Sequence, residues 1–237
     1  MPLLLKMACL PHRSPCMENA EIGSSRMYTL YYFPGNASLM PHMLLREIGA
    51  PFELRLVDRA NNAQKSPEYL ALNPTGCIPV LVDDGQALFE TAAISMYLAD
   101  RHPQARLAPG LESRLRGQYY KWMFLLSNAL QTEFRAWFYA YEYVADPAFT
   151  DSVKEATAAR LGQTFAMIGS HLESNTWLLG DQYSAADLYL FMLVRWGRAM
   201  PSPPRLIASL TDHARRVSSR PAVRAALEQE GIVEPYV

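Results

Sequence analysis

Two periods of apolar residues divide the chain. Over residues 28–101, short runs rich in Tyr, Val, Ile and Leu alternate with segments whose apolar positions recur every three or four residues. The runs at 28–32, 52–57, 78–82 and 87–89 read as strands, from their aromatic and β-branched content. The segments at 38–47 and 90–101 read as helices, with a shorter one starting at Ser66-Pro67-Glu68. Ser38 is a candidate N-cap with Pro41 in the first turn, and Gly49 closes that helix. Ser66, Pro67 and Glu68 supply a cap, a proline at the first helical position and a first-turn acid. Asp84-Gly85 predicts a tight hairpin, and His102-Pro103 ends the third helix. The order is β-α-β-α-β-β-α. A β-α-β unit implies parallel pairing, and the hairpin adds an antiparallel strand.

After a linker at 103–110, strand signals stop. Leu115, Tyr119, Trp122, Leu126, Leu130, Phe134, Trp137 and Tyr141 keep helical spacing and predict one long helix. Val153, Leu161, Phe165, Ile168 and Leu172 mark the next. Ser184-Ala185-Ala186-Asp187 has the form of a capping box, with Tyr183 and Leu188 at the staple positions, so Asp187 reads as a folding residue before a catalytic one. Helical segments at 205–217 and 221–229 complete the chain. The expected division is an α/β domain over 27–105 and an all-α domain over 111–237. Residues 1–26 are rich in Pro and Ser without periodicity. They lack a signal-peptide pattern and read as a disordered tail or a start assigned too far upstream.

Composition narrows the function classes. Half of the 237 residues are apolar, and the formal net charge is −1, which offers no footprint for nucleic acid or an anionic membrane. The longest uncharged stretch of the aromatic region runs only from Trp122 to Thr132, whereas a membrane span needs about 20 residues. Cys9, Cys16 and Cys77 match no metal-site spacing. Their odd count suits a reducing compartment, so a cytoplasmic location and no metal are expected.

The candidate chemistry lies in Thr75-Gly76-Cys77-Ile78-Pro79-Val80-Leu81 and Glu90-Thr91. Pro79 has no amide proton for a central strand, so it marks a strand edge. With a cis Ile78–Pro79 bond, the Ile78 backbone is free to pair with an extended ligand. Glu90 and Thr91 stand at a helix N-terminus, whose free amides favour an anionic group. Together they describe a site for a short peptide with a charged amino-acid end. Cys77 adjoins it and reads as a small buried residue.

These two motifs, in this order before the Ser-x-x-Asp box, resemble the cytosolic glutathione transferase superfamily. The preceding Trp177-Leu178-Leu179-Gly180-Asp181 is similar to the signature of its C-terminal domain. The resemblance implies a thioredoxin-like N-terminal domain, an all-helical C-terminal domain and a homodimer. It also implies glutathione as co-substrate: its cysteinyl part paired along Ile78, its γ-glutamyl end held by Glu90 and Thr91, and its glycyl carboxylate met by Gln64 and Lys65.

Tyr31-Tyr32-Phe33-Pro34-Gly35-Asn36-Ala37-Ser38-Leu39-Met40-Pro41-His42 is similar to the bacterial beta-type members. Ala37 stands where those carry a cysteine, which argues against disulfide exchange. Thiolate stabilisation by a hydroxyl or amide donor at the helix N-terminus remains open. Ser38 ranks first as that donor, Asn36 second and Tyr32 third. Gln131 stands where the beta-type enzymes place a histidine. His42 reads as a packed or hydrogen-bonded residue. The long helix is implied to line the pocket of an apolar electrophile, with Phe134, Phe138 and Tyr141 as candidates. The expected activity is conjugation of glutathione to apolar electrophiles. The alternatives are a glutathione-dependent isomerase, dehalogenase or etherase, a redox protein using Cys77, and a non-catalytic binding or protein-interaction module.

Overall fold

The computed structural model describes residues 27–237; the reading of residues 1–26 lies outside them. Strand β1 (Tyr28–Tyr32) leads through α1 (Leu39–Ile48) to β2 (Phe52–Leu56). A 3-10 turn (Ala63–Lys65) and α2 (Pro67–Leu72) precede β3 (Val80–Asp83), β4 (Gln86–Phe89) and α3 (Thr91–Arg101). The sheet order is β2-β1-β3-β4. β1 pairs parallel with β2 and antiparallel with β3, which pairs antiparallel with β4. Asp84 and Gly85 both take positive φ, as a two-residue hairpin requires. This is the thioredoxin-like arrangement that the strand order predicts.

The rest is helical: α4 (Leu115–Leu125), α5 (Thr132–Phe138), α6 (Thr150–Leu172), α7 (Ala185–Trp196), α8 (Ala208–Ser218) and α9 (Pro221–Gln229). Helix α7 is the axis of this half. All its residues from Ala185 to Val194 are buried, so its apolar run has no polar face. Buried Asp187 secures its start: Oδ2 accepts from the Ser184 amide at 2.9 Å and its hydroxyl at 3.2 Å, while Oδ1 accepts from the Leu178 amide at 2.9 Å. His213 Nε2 lies 3.0 Å from Oδ1 and ties in α8. Asp187 is therefore a structural hub, as its box predicts. One apolar core runs through both halves, with Leu44 and Leu98 from the first and Tyr189 and Leu227 from the second.

Two local expectations need correction. The long helix does not run unbroken to Tyr141: Leu126–Gln131 forms a π-helical segment between α4 and α5, and the helix ends at Phe138. Tyr141 falls on the following 3-10 turn (Ala140–Tyr143). Apolar spacing of three and four fits either type of turn, so periodicity does not show the switch. Ser38 does not cap α1 either. Its own φ and ψ are helical and its side chain accepts nothing from the first turn.

Candidate functional site

The Ile78–Pro79 bond is cis. Val80 pairs with Phe89 in the β3–β4 ladder, so extending that register sets Pro79 and Ile78 beside Glu90 and Thr91. The two sequence motifs thus meet in space. The loop before them is held firmly: the Cys77 carbonyl accepts from Tyr69 Oη and Asn73 Nδ2, both at 2.8 Å. Ile78 makes no turn or loop backbone hydrogen bond among the described residues, so its amide and carbonyl can serve an extended ligand. Gly76 has φ +65°, and a Cβ there would lie 2.7 Å from Lys65 Nζ and 3.0 Å from the Gln64 carbonyl. Only glycine lets Gln64 and Lys65 approach this loop so closely. Cys77 is exposed, against the expectation of a buried thiol; the loop turns its side chain outward while Gly76 faces in.

Glu90 precedes α3 with φ 73° and ψ 116°, a conformation that L-residues rarely adopt, and its side chain is exposed. Thr91 is 2% exposed, and its Oγ1 has no hydrogen-bond partner. Gln64 Oε1 is likewise buried without one. Buried polar atoms are nearly always satisfied, so these two orphans beside one cis-proline loop leave hydrogen-bonding capacity open there. A hydroxyl can donate to a carboxylate or accept from an ammonium, and Lys65 offers a cation for a carboxylate. This donor set fits glutathione, which carries two carboxylates and one ammonium.

The segment before α1 forms the next wall. Ser38 is fully buried, and its Oγ both donates to the Phe33 carbonyl and accepts from the Phe33 amide, each at 3.2 Å. That hydroxyl folds the loop back on itself. Asn36 is half-buried, and its Oδ1 accepts from the Ala37 amide at 2.6 Å, leaving Nδ2 as a donor. Tyr32 is half-buried against the core.

The helical half grips this loop. Glu230 Oε2 accepts from the Gly35 amide at 2.8 Å, and Trp196 Nε1 donates to the Gly35 carbonyl at 2.9 Å. Glu230 Oε1 also lies 2.8 Å from His42 Nδ1, and both side chains are fully buried. Gln229 Oε1 meets His42 Nε2 at 3.0 Å, so His42 is packed and hydrogen-bonded as expected. Arg59 reaches across to Tyr139 Oη at 2.8 Å and lies over the Phe33 ring.

Of the three candidate pocket aromatics, Phe134 is fully buried among Phe165, Trp196 and Phe138, so it supports the wall from behind. Phe138 is 43% exposed and packs edge-on against Trp196, next to the Gly35 loop. Tyr141 is exposed, with its ring on Tyr139. Gln131 is committed as acceptor to Tyr189 Oη. Burial, and secondarily the Glu90 carboxylate, push the Tyr189 phenol pKa well above its ordinary value.

Family models bear on this geometry. Residues 26–100 match the glutathione S-transferase N-terminal domain and residues 134–221 its C-terminal domain. Glutathione S-transferase GST-4.5 of Xanthomonas campestris pv. campestris is 34% identical over 203 residues, covering 86% of this chain and 98% of the relative. The chain belongs to the glutathione S-transferase family. The structure of a sphingomonad glutathione S-transferase complexed with glutathione superposes with TM-score 0.76 at 32% identity, covering 86% of this chain and all of that one. A bacterial beta-class glutathione S-transferase from Sphingomonas chungbukensis gives TM-score 0.77 at 30% identity, with the same coverage.

This transferase is thus an enzyme of the beta-type neighbourhood with Ala37 in place of that type's cysteine. Sequence reasoning missed Trp196, Glu230, Arg59 and Tyr139. No local pattern signals them, because each acts on a partner at least 80 residues away. Gly76, quoted in the motif without a role, is the close contact for Lys65 and Gln64. Among the described residues no group of three or more His, Cys, Asp or Glu is placed to hold a metal ion, and no helix is long and apolar enough to cross a membrane.

Proposed function

We propose that this transferase binds glutathione along the Ile78 backbone and conjugates its thiolate to apolar electrophilic small molecules. The observation that carries the reading is the buried, unpartnered Thr91 hydroxyl beside Ile78–Pro79. Thr91 and Glu90 hold the γ-glutamyl end, Ile78 pairs with the cysteinyl residue, and Gln64 with Lys65 takes the glycyl end. Cys77 borders the site through its backbone alone. The sphingomonad transferase's complex with glutathione supports this assignment by similarity.

At the thiol, the ranking of donors changes. Ser38 is sealed and already paired with Phe33, so it shapes the loop. Asn36 Nδ2, which makes no hydrogen bond among the described residues, becomes the first donor, with Tyr32 second. A free thiol has a pKa near 8.5, and such donors favour the thiolate near neutral pH. The sulfur forms a bond to carbon, the leaving group departs with its electron pair, and the thiol proton passes to solvent. Phe138 and Trp196 exclude water from the electrophile's side. Ala37 offers no thiol for a mixed disulfide, which favours conjugation over exchange.

The test is thiolate absorbance on titrating glutathione into the protein, with Asn36→Ala and Ser38→Ala in parallel, followed by conjugation assays. Thiolate in Ser38→Ala but not in Asn36→Ala is the expected result. Binding without thiolate in the unmodified protein would favour a binding module. Sedimentation would test the homodimer that the family resemblance implies.

A further inference from the structure

A cleft of about 490 Å³ opens beside the Pro34–Gly35 loop, between the end of α7 and the C-terminal segment. Its walls include Pro34, Gly35, Arg195, Arg198, Ile232 and Glu234. Arg195 sends one nitrogen to the Tyr236 carbonyl at 2.8 Å, and its Nε is buried with no partner. Arg198 donates to the Arg195 carbonyl at 2.8 Å, and Arg205 donates to the Arg198 carbonyl at 3.0 Å. Arg195 and Arg198 therefore line the cleft side by side, with Arg205 bonded to Arg198 behind them. Among the described residues none of the three forms a salt bridge, whereas Arg55, Arg116, Arg135, Arg160, Arg215 and Arg220 all do. Glu230 lines the cleft too, but its two oxygens are taken by His42 and the Gly35 amide. Glu234 is exposed to solvent. Burial, then the neighbouring Arg198, lowers the Arg195 guanidinium pKa, with Glu230 offsetting only part.

Arg195 is half-buried beside exposed Arg198, and with neither in a salt bridge among the described residues the pair is stabilised by an incoming anion. The cleft shares its Pro34–Gly35 wall with the loop that leads to Asn36, so an anion there can belong to the molecule being attacked. We propose that this cleft receives the carboxylate arm of the electrophile, making the enzyme selective for electrophiles that carry a negatively charged group. The inference rests on the conjugation reading above and refines its substrate class. Arg195 and Arg198 are specificity residues here; the reaction is unchanged, with sulfur bonding to carbon and chloride leaving with its electron pair in the assay pair below.

The test compares chlorodinitrobenzene, which is neutral, with chloronitrobenzoate, which carries a carboxylate. The unmodified enzyme and Arg198→Met, Arg195→Met and Arg198→Glu variants are assayed at saturating glutathione. Arg198 is exposed, so its variants stay folded even if Arg195→Met does not. The expected result is a fall of about tenfold in the ratio of kcat/KM values, benzoate over neutral, in Arg198→Met. The fall is steeper in Arg198→Glu and is carried by KM. Equal ratios in all proteins would overturn the inference while leaving conjugation intact. Inactivity toward both compounds, with no glutathione thiolate, would overturn the parent reading and this one with it. Calorimetry with plain benzoate separates a substrate arm from a free-anion site: arginine-dependent benzoate binding without any preference between the electrophiles also overturns it.

Discussion

At the scale of single residues, Thr91 separates binding from folding. Its hydroxyl is buried and satisfies nothing in the fold, so Thr91→Val removes a desolvated polar group without losing a bond. We expect stability unchanged or raised, by up to about 1 kcal/mol, and glutathione affinity lowered about tenfold. Thermal unfolding and calorimetry on the same variant check both. A drop in stability would show that the hydroxyl is needed by the fold. Ser38→Ala should behave in the opposite sense. It strips the Phe33 amide and carbonyl of their partner and should cost about 1–2 kcal/mol of stability while glutathione still binds. Denaturant titration of the two variants side by side tells these roles apart. From sequence, Ser38 read as a cap and first donor because a serine before an apolar periodic run usually caps; only the helical φ and ψ of Ser38 show that its hydroxyl folds back instead.

At the scale of elements, two junctions govern the active geometry. The first is Asp187, which joins the start of α7, the Leu178 amide and His213 of α8. Asp187→Ala leaves several buried donors unpaired, and we expect a loss of about 3 kcal/mol or more in denaturant unfolding. The second is the grip of Glu230 and Trp196 on both faces of the Gly35 peptide. Trp196→Phe keeps a ring against Phe134 and Phe138 but deletes the indole donor. It should cost about 1 kcal/mol of stability. It should also lower kcat/KM about tenfold or more by loosening the thiol loop, with glutathione affinity little changed. Faster amide exchange confined to the segment before α1 would accompany it; unchanged exchange would sink the idea. The Ser184 half of the Asp187 junction was legible because both residues fall within one capping motif, whereas its bonds to Leu178 and His213 lie outside it. The Gly35 grip was not, since α9 and the loop are joined only by the folded chain.

At the scale of the whole molecule, a single core spans both halves, and it buries tyrosines deeply. Burial pushes the phenols of Tyr119, Tyr183 and Tyr189 above their ordinary value near 10. The sign follows from linkage. Below pH 10 both folded and unfolded chains hold these protons; above it the unfolded chain releases them first, so unfolding gains as pH rises. We expect stability to fall steeply above pH 10, and a Tyr119→Phe variant to fall less steeply, as measured by unfolding at fixed pH. Tyr119 suits this substitution because its hydroxyl has no hydrogen-bond partner.

What the amino-acid sequence determined by itself is local or periodic. Strand and helix order, the hairpin at Asp84-Gly85, the Ile78–Pro79 and Glu90-Thr91 motifs and the Asp187 box all depend on neighbours within a few residues, where propensity and capping act directly. The family resemblance rested on those same short motifs. Tertiary structure alone decided the rest. It put Glu230 on Gly35, sealed Ser38, exposed Cys77, shifted Leu126–Gln131 into a π-helical segment and left Thr91 Oγ1 and Arg195 Nε without partners. The reason is physical: whether a polar atom is satisfied depends on what the fold brings within about 3 Å of it, and residues nearly two hundred positions apart carry no local record of that meeting.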